Sequence, residues 1–249
     1  MKAIFNADDF GLSRGVNLGI IESYRHGVVR STTIMAGMPG FEHAVELAGA
    51  CPGLKVGVHL TLTAGKSVGG VYKTLTDKEG HFHQRAEVER LAHAGGIDPF
   101  EVESEYEAQI QRVLAAGINP DHFDSHHHTH NLPGIFTVFL KLAGKYGVGA
   151  RINDKGLLPR EYAGIRTTDA FSEGFYDETA TPEDLKRILL NCGKGSIEMM
   201  CHPAFVDHYL LSASSYNTRR AYELHILTSP EIAGFMAQHG IELCSFSDI

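Results

Sequence analysis

The sequence has no tryptophan among its 249 residues and only four cysteines, Cys51, Cys192, Cys201 and Cys244, with no Cys-x-x-Cys pair. That spacing excludes the mark of a thiolate zinc site or a dense disulfide scaffold. It suits a reducing, cytoplasmic setting in which the thiols act as small core residues. No apolar run approaches the ~20 residues needed to span a bilayer. Basic runs are also missing: 22 Lys and Arg stand against 30 Asp and Glu, a net charge of −8. This balance argues against nucleic acid and anionic membranes as partners, and leaves a small neutral or cationic molecule as the easier one. The opening Met1-Lys2-Ala3-Ile4-Phe5-Asn6-Ala7-Asp8-Asp9 lacks the apolar core and cleavage site of a signal peptide. No Gly-x-Gly-x-x-Gly follows that first strand, so the usual sign of a dinucleotide-binding open sheet is missing. The sequence leaves oligomeric state open, a homodimer included.

What the sequence has in quantity is histidine. Four of its fifteen histidines fall within Asp124-Ser125-His126-His127-His128-Thr129-His130. Neutral imidazole is the commonest protein ligand for divalent metals, and a cluster beside carboxylates is the usual way to hold one. An extended run puts His126, His128 and His130 on one face, whereas a helical turn groups His126 with His130. The plainer alternative is a solvated, histidine-rich loop.

At 43% hydrophobic, a chain of this length can bury a full α/β core. Strand patterns fall at 2–6, 31–36, 55–61, 121–124, 150–152, 165–171, 197–201 and 241–244, with helical patterns between them. Val56, Val58 and Leu60 alternate with Gly57, His59 and Thr61, which is the period of a strand. Ser13 caps one helix, Thr181-Pro182 opens another and Ser229-Pro230 a third. From about 64 to 98 the periodicity gives way to glycines and mixed charges, as in a lid or binding loop. Repeated βα units imply a parallel sheet, and about seven or eight strands suit a (β/α) TIM-like barrel. The expected architecture is a single-domain variant of that barrel with a lid-like insertion.

The unusual polar residues all take one kind of position. Asp8 and Asp9 follow the first strand, His59 ends the third, His126 follows the fourth and His202 the seventh. Barrel active sites are built at the carboxyl ends of the strands, so these groups should open into one pocket. Taken singly, each has an ordinary explanation. His59 suits a packed strand, Asp8-Asp9 a helix cap, and His202 before Pro203 a rigid loop. His81 and His83 read as a surface pair, and His26, His43, His93, His122, His208, His225 and His239 as residues of polar faces or loops. Asp207, Tyr209 and Tyr216 lie in a polar loop after His202, within reach of a ligand. One carboxylate with two imidazoles leaves open positions on a divalent metal, which marks a catalytic site. A second carboxylate can then act as base for a water, and a histidine from another strand can protonate the leaving group. Together they describe hydrolysis of an amide or ester.

Asn6-Ala7-Asp8-Asp9-Phe10-Gly11, Gly57-Val58-His59-Leu60, the histidine run from Asp124 and Met200-Cys201-His202-Pro203-Ala204 resemble the four signatures of the YdjC family. These are carbohydrate deacetylases that include the chitooligosaccharide deacetylases. The resemblance runs nearly end to end. It implies a variant (β/α) barrel distantly similar to the polysaccharide deacetylases. It also implies that Asp9, His59 and His126 hold one divalent metal ion, magnesium or zinc, with Asp8 as general base and His202 as general acid. His128 and His130 become supporting or substrate-facing groups, although the spacing of His126 and His130 also matches the paired histidines of the wider superfamily. Arg151 matches an arginine that orients the base. The substrate implied is an N-acetylglucosamine unit of a small oligosaccharide. Sugar rings stack on aromatics, and Tyr72, Phe82, Phe175, Tyr176 and Phe205 are the available platforms. Rival expectations are a metal-dependent phosphoesterase and a non-catalytic sugar-binding relative. A glycosidase fits poorly, because adjacent acids cannot easily flank a glycosidic bond.

Overall fold

The first strand of the chain is the central one. In the computed structural model, which describes Met1–Ile249, β1 (Lys2–Phe10) is buried from Ala3 onward. It is followed by β2 (Ser31–Ile34), β3 (Lys55–Leu60), β4 (His122–Ser125), β5 (Gly149–Ala150), β6 (Ala170–Ser172), β7 (Ser196–Cys201) and β8 (Glu242–Leu243). The sheet order is β5-β4-β3-β2-β1-β7-β6, with β8 paired to β1, and every pairing is parallel. One edge of β1 runs along β7 from Lys2 to Ala7. The other meets β8 at Lys2 and Ala3, then β2 from Asn6. The edge strands β5 and β6 are not paired to each other. Instead, the Ala150 N–H donates to the Arg166 carbonyl at 2.9 Å. The sheet is therefore curled into a variant (β/α) barrel that a loop, not a strand pair, bridges.

Strand boundaries differ most from the sequence expectation at β1 and β6. β1 continues through both acids to Phe10, because Asn6, Asp8 and Asp9 point into a buried polar network where apolar periodicity has no hold. β6 begins at Ala170, since Arg166 is occupied elsewhere: its carbonyl serves Ala150 and its guanidinium donates to the Phe246 carbonyl at 2.8 Å. The caps fall as expected. Ser13 accepts from Val16 N at the head of helix Arg14–His26, Thr181 from Asp184 N, and Ser229 from Ile232 N. Helix Arg14–His26 lies so close to the segment after β7 that a Cβ at Gly15 or Gly19 would collide with the backbone of Phe205 and Ala204. Only glycine allows that approach, and it fixes where His202 sits.

The excursion after β3 is tethered rather than loose. Helix Pro99–Ala115 presents Glu105 to the N–H groups of Val68 and Gly69 (2.9 and 2.8 Å), and Glu101 to those of Lys73 and Thr74 (2.9 and 2.8 Å). Two antiparallel bridges, Lys66 with His81 and Thr76 with Phe82, fold the excursion onto itself. Its last part, helix Arg85–His93, brings Arg85 to the mouth of the barrel. One apolar cluster runs through the whole chain, from Ala3 to Ile241. No helix is long and apolar enough to cross a membrane.

Candidate metal centre

The candidate ligands come from β1, β3 and the turn after β4, with β2 lying between the first two. β1 supplies Asp9 at a break in its register with β2, where the backbone turns to φ 72°. That left-handed conformation is uncommon for a residue with a side chain and strains the chain at the site. β3 supplies His59, whose register partner on β4 is Asp124, and His126 opens the turn His126–Asn131 directly after β4. His126 Nδ1 lies 2.9 Å and His59 Nε2 3.3 Å from Asp9 Oδ1. One ligand atom from each of the three falls within 4.8 Å of the other two.

The chemistry of this corner fits a cation. Asp9 Oδ1 is buried without a hydrogen-bond partner, while Oδ2 accepts from Arg220 Nη2 at 2.7 Å. A buried carboxylate oxygen facing two imidazoles and nothing else has the surroundings of a metal ligand. Burial would raise the Asp9 carboxyl, but Arg220 and His126 outweigh it and hold it well below its ordinary value. His59 is aimed by its other nitrogen, since Nδ1 sits 2.7 Å from Asp124 Oδ1, the carboxylate–histidine arrangement that orients ligand rings. Burial would lower His59, yet Asp124 overrides it and pushes the ring up to about 10, so the site favours positive charge there.

Asp8, next to Asp9, faces the same cavity but has different partners. The fully buried Arg151 grips it with two bonds of 2.7 Å. The same guanidinium reaches Glu198 Oε1 (2.8 Å from Nε) and Asp124 Oδ2 (3.1 Å from Nη2). Burial pushes the Asp8 carboxyl up, Arg151 more than offsets this, and the group is held below the usual carboxylate range. On the far side His202 stands edge-on to Tyr176 and Tyr216, each at 5.6 Å. Its backbone N–H donates to Glu223 Oε2 at 2.5 Å. Its Nδ1 has no partner and lies 3.8 Å from Glu223 Oε1, which accepts from the Tyr216 hydroxyl. Asp8, Asp9, His59, His126 and His202 line one cavity of about 610 Å³, with Arg85, Glu173 and His128 also in its wall, while Arg151, Asp124, Glu198 and Glu223 support them from behind.

Known proteins compare as follows. A family profile described as YdjC-like protein matches residues 2–238. The chain belongs to the YdjC-like family. Among relatives of this YdjC-like chain, a "Carbohydrate deacetylase" of Brevibacillus brevis is 43% identical over 256 residues, covering all of both chains. A "Carbohydrate deacetylase 1" of Listeria innocua is 43% identical over 251 residues, again with full coverage. A solved structure from Enterococcus faecalis V583, described as a candidate cellobiose-phosphate cleavage protein, is 35% identical and superposes with a TM-score of 0.89 over 99% of this chain and 98% of the other. A family 4 carbohydrate esterase from Streptomyces lividans shares the fold at a TM-score of 0.55 and 15% identity, covering 98% and 92%.

The histidine run of this YdjC-like chain takes neither regular form. His127 and His128 both adopt left-handed backbones (φ 56° and 54°), so the chain doubles back after His126. His126 and His128 face the cavity, His128 with Nε2 3.2 Å from Glu173. His130 turns under instead. It is fully buried, with Nδ1 2.6 Å from Ser125 Oγ and Nε2 3.1 Å from Asn153 Oδ1, and its ring packs on Phe139. It therefore faces neither substrate nor ion. Phe205 is half-exposed and outside the cavity wall, because the turn at Pro203-Ala204 is pressed against the first helix and aims it outward. Among the expected platforms Tyr176 lines this cavity and Phe82 an adjoining one, while Phe175 is buried in the core. His122, grouped above with the histidines of polar faces or loops, is buried on β4, within the strand expected at 121–124, and stacks on Phe246 at 4.0 Å. No motif marks Arg220, Glu223 or Glu198 in the sequence, and nothing there shows that Asp124 backs His59. Arg220 and Glu223 lie on helix Arg219–Leu227, which carries no motif.

Proposed function

We propose that this protein is a metal-dependent carbohydrate deacetylase that removes the acetyl group from N-acetylglucosamine units of chitooligosaccharides. The observation that carries the proposal is the unpartnered Asp9 Oδ1 facing His59 and His126, with Asp8 and His202 bordering the same cavity. The names of the full-length relatives from Brevibacillus and Listeria support the reaction class. A single divalent ion held by Asp9, His59 and His126 would polarise the amide carbonyl and acidify a water. Two imidazoles with one carboxylate favour zinc or another transition ion over magnesium on ligand softness.

The side chains divide the remaining work. Asp8 is ionised across the neutral range and accepts the proton of the attacking water. Arg151 fixes both oxygens of Asp8, so the base meets the substrate in one orientation. His202 gives a proton to the departing nitrogen, its ring set edge-on against the stacked pair Tyr176 and Tyr216. These tyrosines stack on each other at 4.0 Å, and the pair lines the cavity as a partly apolar wall for a sugar ring.

The test is acetate release from the β-1,4 dimer of N-acetylglucosamine, before and after chelation and on re-addition of one metal. Metal-restored acetate release supports the proposal. Phosphate release from phosphomonoesters, with no acetate from any N-acetylated sugar, would favour a phosphoesterase instead.

A further inference from the structure

The cavity around the candidate metal centre does not end there. A second cavity of about 470 Å³ shares His126, His127, Ser214 and Ser215 with it. The two therefore adjoin at the candidate ligand His126, and His127 stands in the wall of both, its Nδ1 fixed 2.9 Å from Thr63 Oγ1. The annex differs in character from the main cavity. Leu12, Met38, Phe82 and Tyr209 give it apolar walls, and Thr63 and Gln84 give it hydrogen-bonding groups. Its size lies within the roughly 300–1,000 Å³ of pockets that take small organic molecules. A pyranose ring has the matching chemistry, with an apolar face of C–H groups to lie on an aromatic and hydroxyls around its edge.

We propose that the annex is the subsite for the sugar unit adjoining the one that is deacetylated. The inference rests on the proposed deacetylation and goes further, assigning specificity for chain length to the excursion after β3 and to the helix end at Ala213. An acetamido group at Asp9, His59 and His126 puts its sugar in the main cavity, and the next unit enters past His126 and His127. Binding energy collected in the annex, remote from the reacting bond, then raises turnover of a dimer over a monomer.

The test is kcat/KM for N-acetylglucosamine and for its β-1,4 dimer, in wild type and in two variants that fill the annex from opposite walls. These are Ala213→Trp, at an exposed helix end, and Ala64→Phe, on the excursion. In metal-loaded wild type the dimer should exceed the monomer by about tenfold or more. Each variant that keeps the wild-type melting temperature should bring that ratio to within about threefold of unity, mainly through a higher KM for the dimer. A ratio unchanged in both variants, or equal turnover of monomer and dimer by wild type, overturns the annex assignment while leaving the deacetylase proposal standing. No acetate from either sugar by the metal-loaded enzyme refutes the deacetylase proposal itself.

Discussion

Replacing Arg151 with methionine should destabilise the protein in a way that depends on pH. The guanidinium is fully buried and is the only cation bonded to Asp8 and Glu198, with Asp124 as a third acid at 3.1 Å. Removing one partner of a buried pair costs about 3–5 kcal/mol, because the other charge is left without compensation. In a domain of this size each kcal/mol shifts Tm by roughly 2–4 °C, so a drop of roughly 6–20 °C is expected at pH 8. Asp8 and Glu198 set the sign. In wild type Arg151 overrides burial and keeps Asp8 below its unfolded value, so Asp8 contributes stability above about pH 3.9 that fades as pH falls through the folded value. Without Arg151 burial is opposed only by the imidazoles of His59 and His202, so the folded value rises and the stability that Asp8 contributes is reduced. Glu198 is already raised by burial despite Arg151 and moves further the same way. The gap in Tm between wild type and Arg151→Met should therefore be smallest in acid, already present at pH 5, where wild-type Asp8 contributes in full, and wider still at pH 8, as scanning calorimetry can measure. A second change, Glu198→Gln, should recover part of the loss at pH 8. A gap under 2 °C at pH 8 (roughly 1 kcal/mol or less), or one that does not vary with pH, would refute this account of the network.

Other consequences are independent of that one. Asp124→Asn should weaken metal binding by about 10–100-fold through loss of the carboxylate behind His59, as chelator competition can show. Asp8→Asn and His202→Gln should each lower kcat by about 10²–10⁴-fold while metal content stays at the wild-type level; loss of metal in either would move that residue into the ligand set. Burial holds His130 neutral, well below 6.5. The unfolded chain alone then takes up that proton below about pH 6.5, so stability falls with pH by at most ~1.4 kcal/mol per unit from this group. His130→Asn should flatten the decline of Tm between pH 6.5 and 5 relative to wild type, and an unchanged slope would show that His130 is not held neutral.

Much of this architecture can be read from the residues. The caps at Ser13, Thr181 and Ser229 mark helix starts, and the alternation across 55–60 marks a strand, because each obeys a local rule. The gathering of Asp8, Asp9, His59, His126 and His202 at the carboxyl ends of parallel strands follows from fold class alone. Other features depend on forces with no local pattern. β5 and β8 are two residues each, too short to show a period. The path of the histidine run depends on left-handed backbones at His127 and His128, which neither the helical nor the extended period describes. Arg220 meets Asp9 across 211 residues of sequence, and its helix gives no hint that one arginine is buried. Phe205 failed as a sugar platform because two glycines in the first helix fix the turn that carries it.

Asp9, His59 and His126 sharing one divalent ion is the claim on which the rest stands. Anomalous scattering from a zinc-soaked crystal tests it most directly. One peak should appear, with Asp9 Oδ1, His59 Nε2 and His126 Nδ1 all at roughly 2.0–2.2 Å. An ion bound by other side chains, or no ion at millimolar zinc, would contradict it.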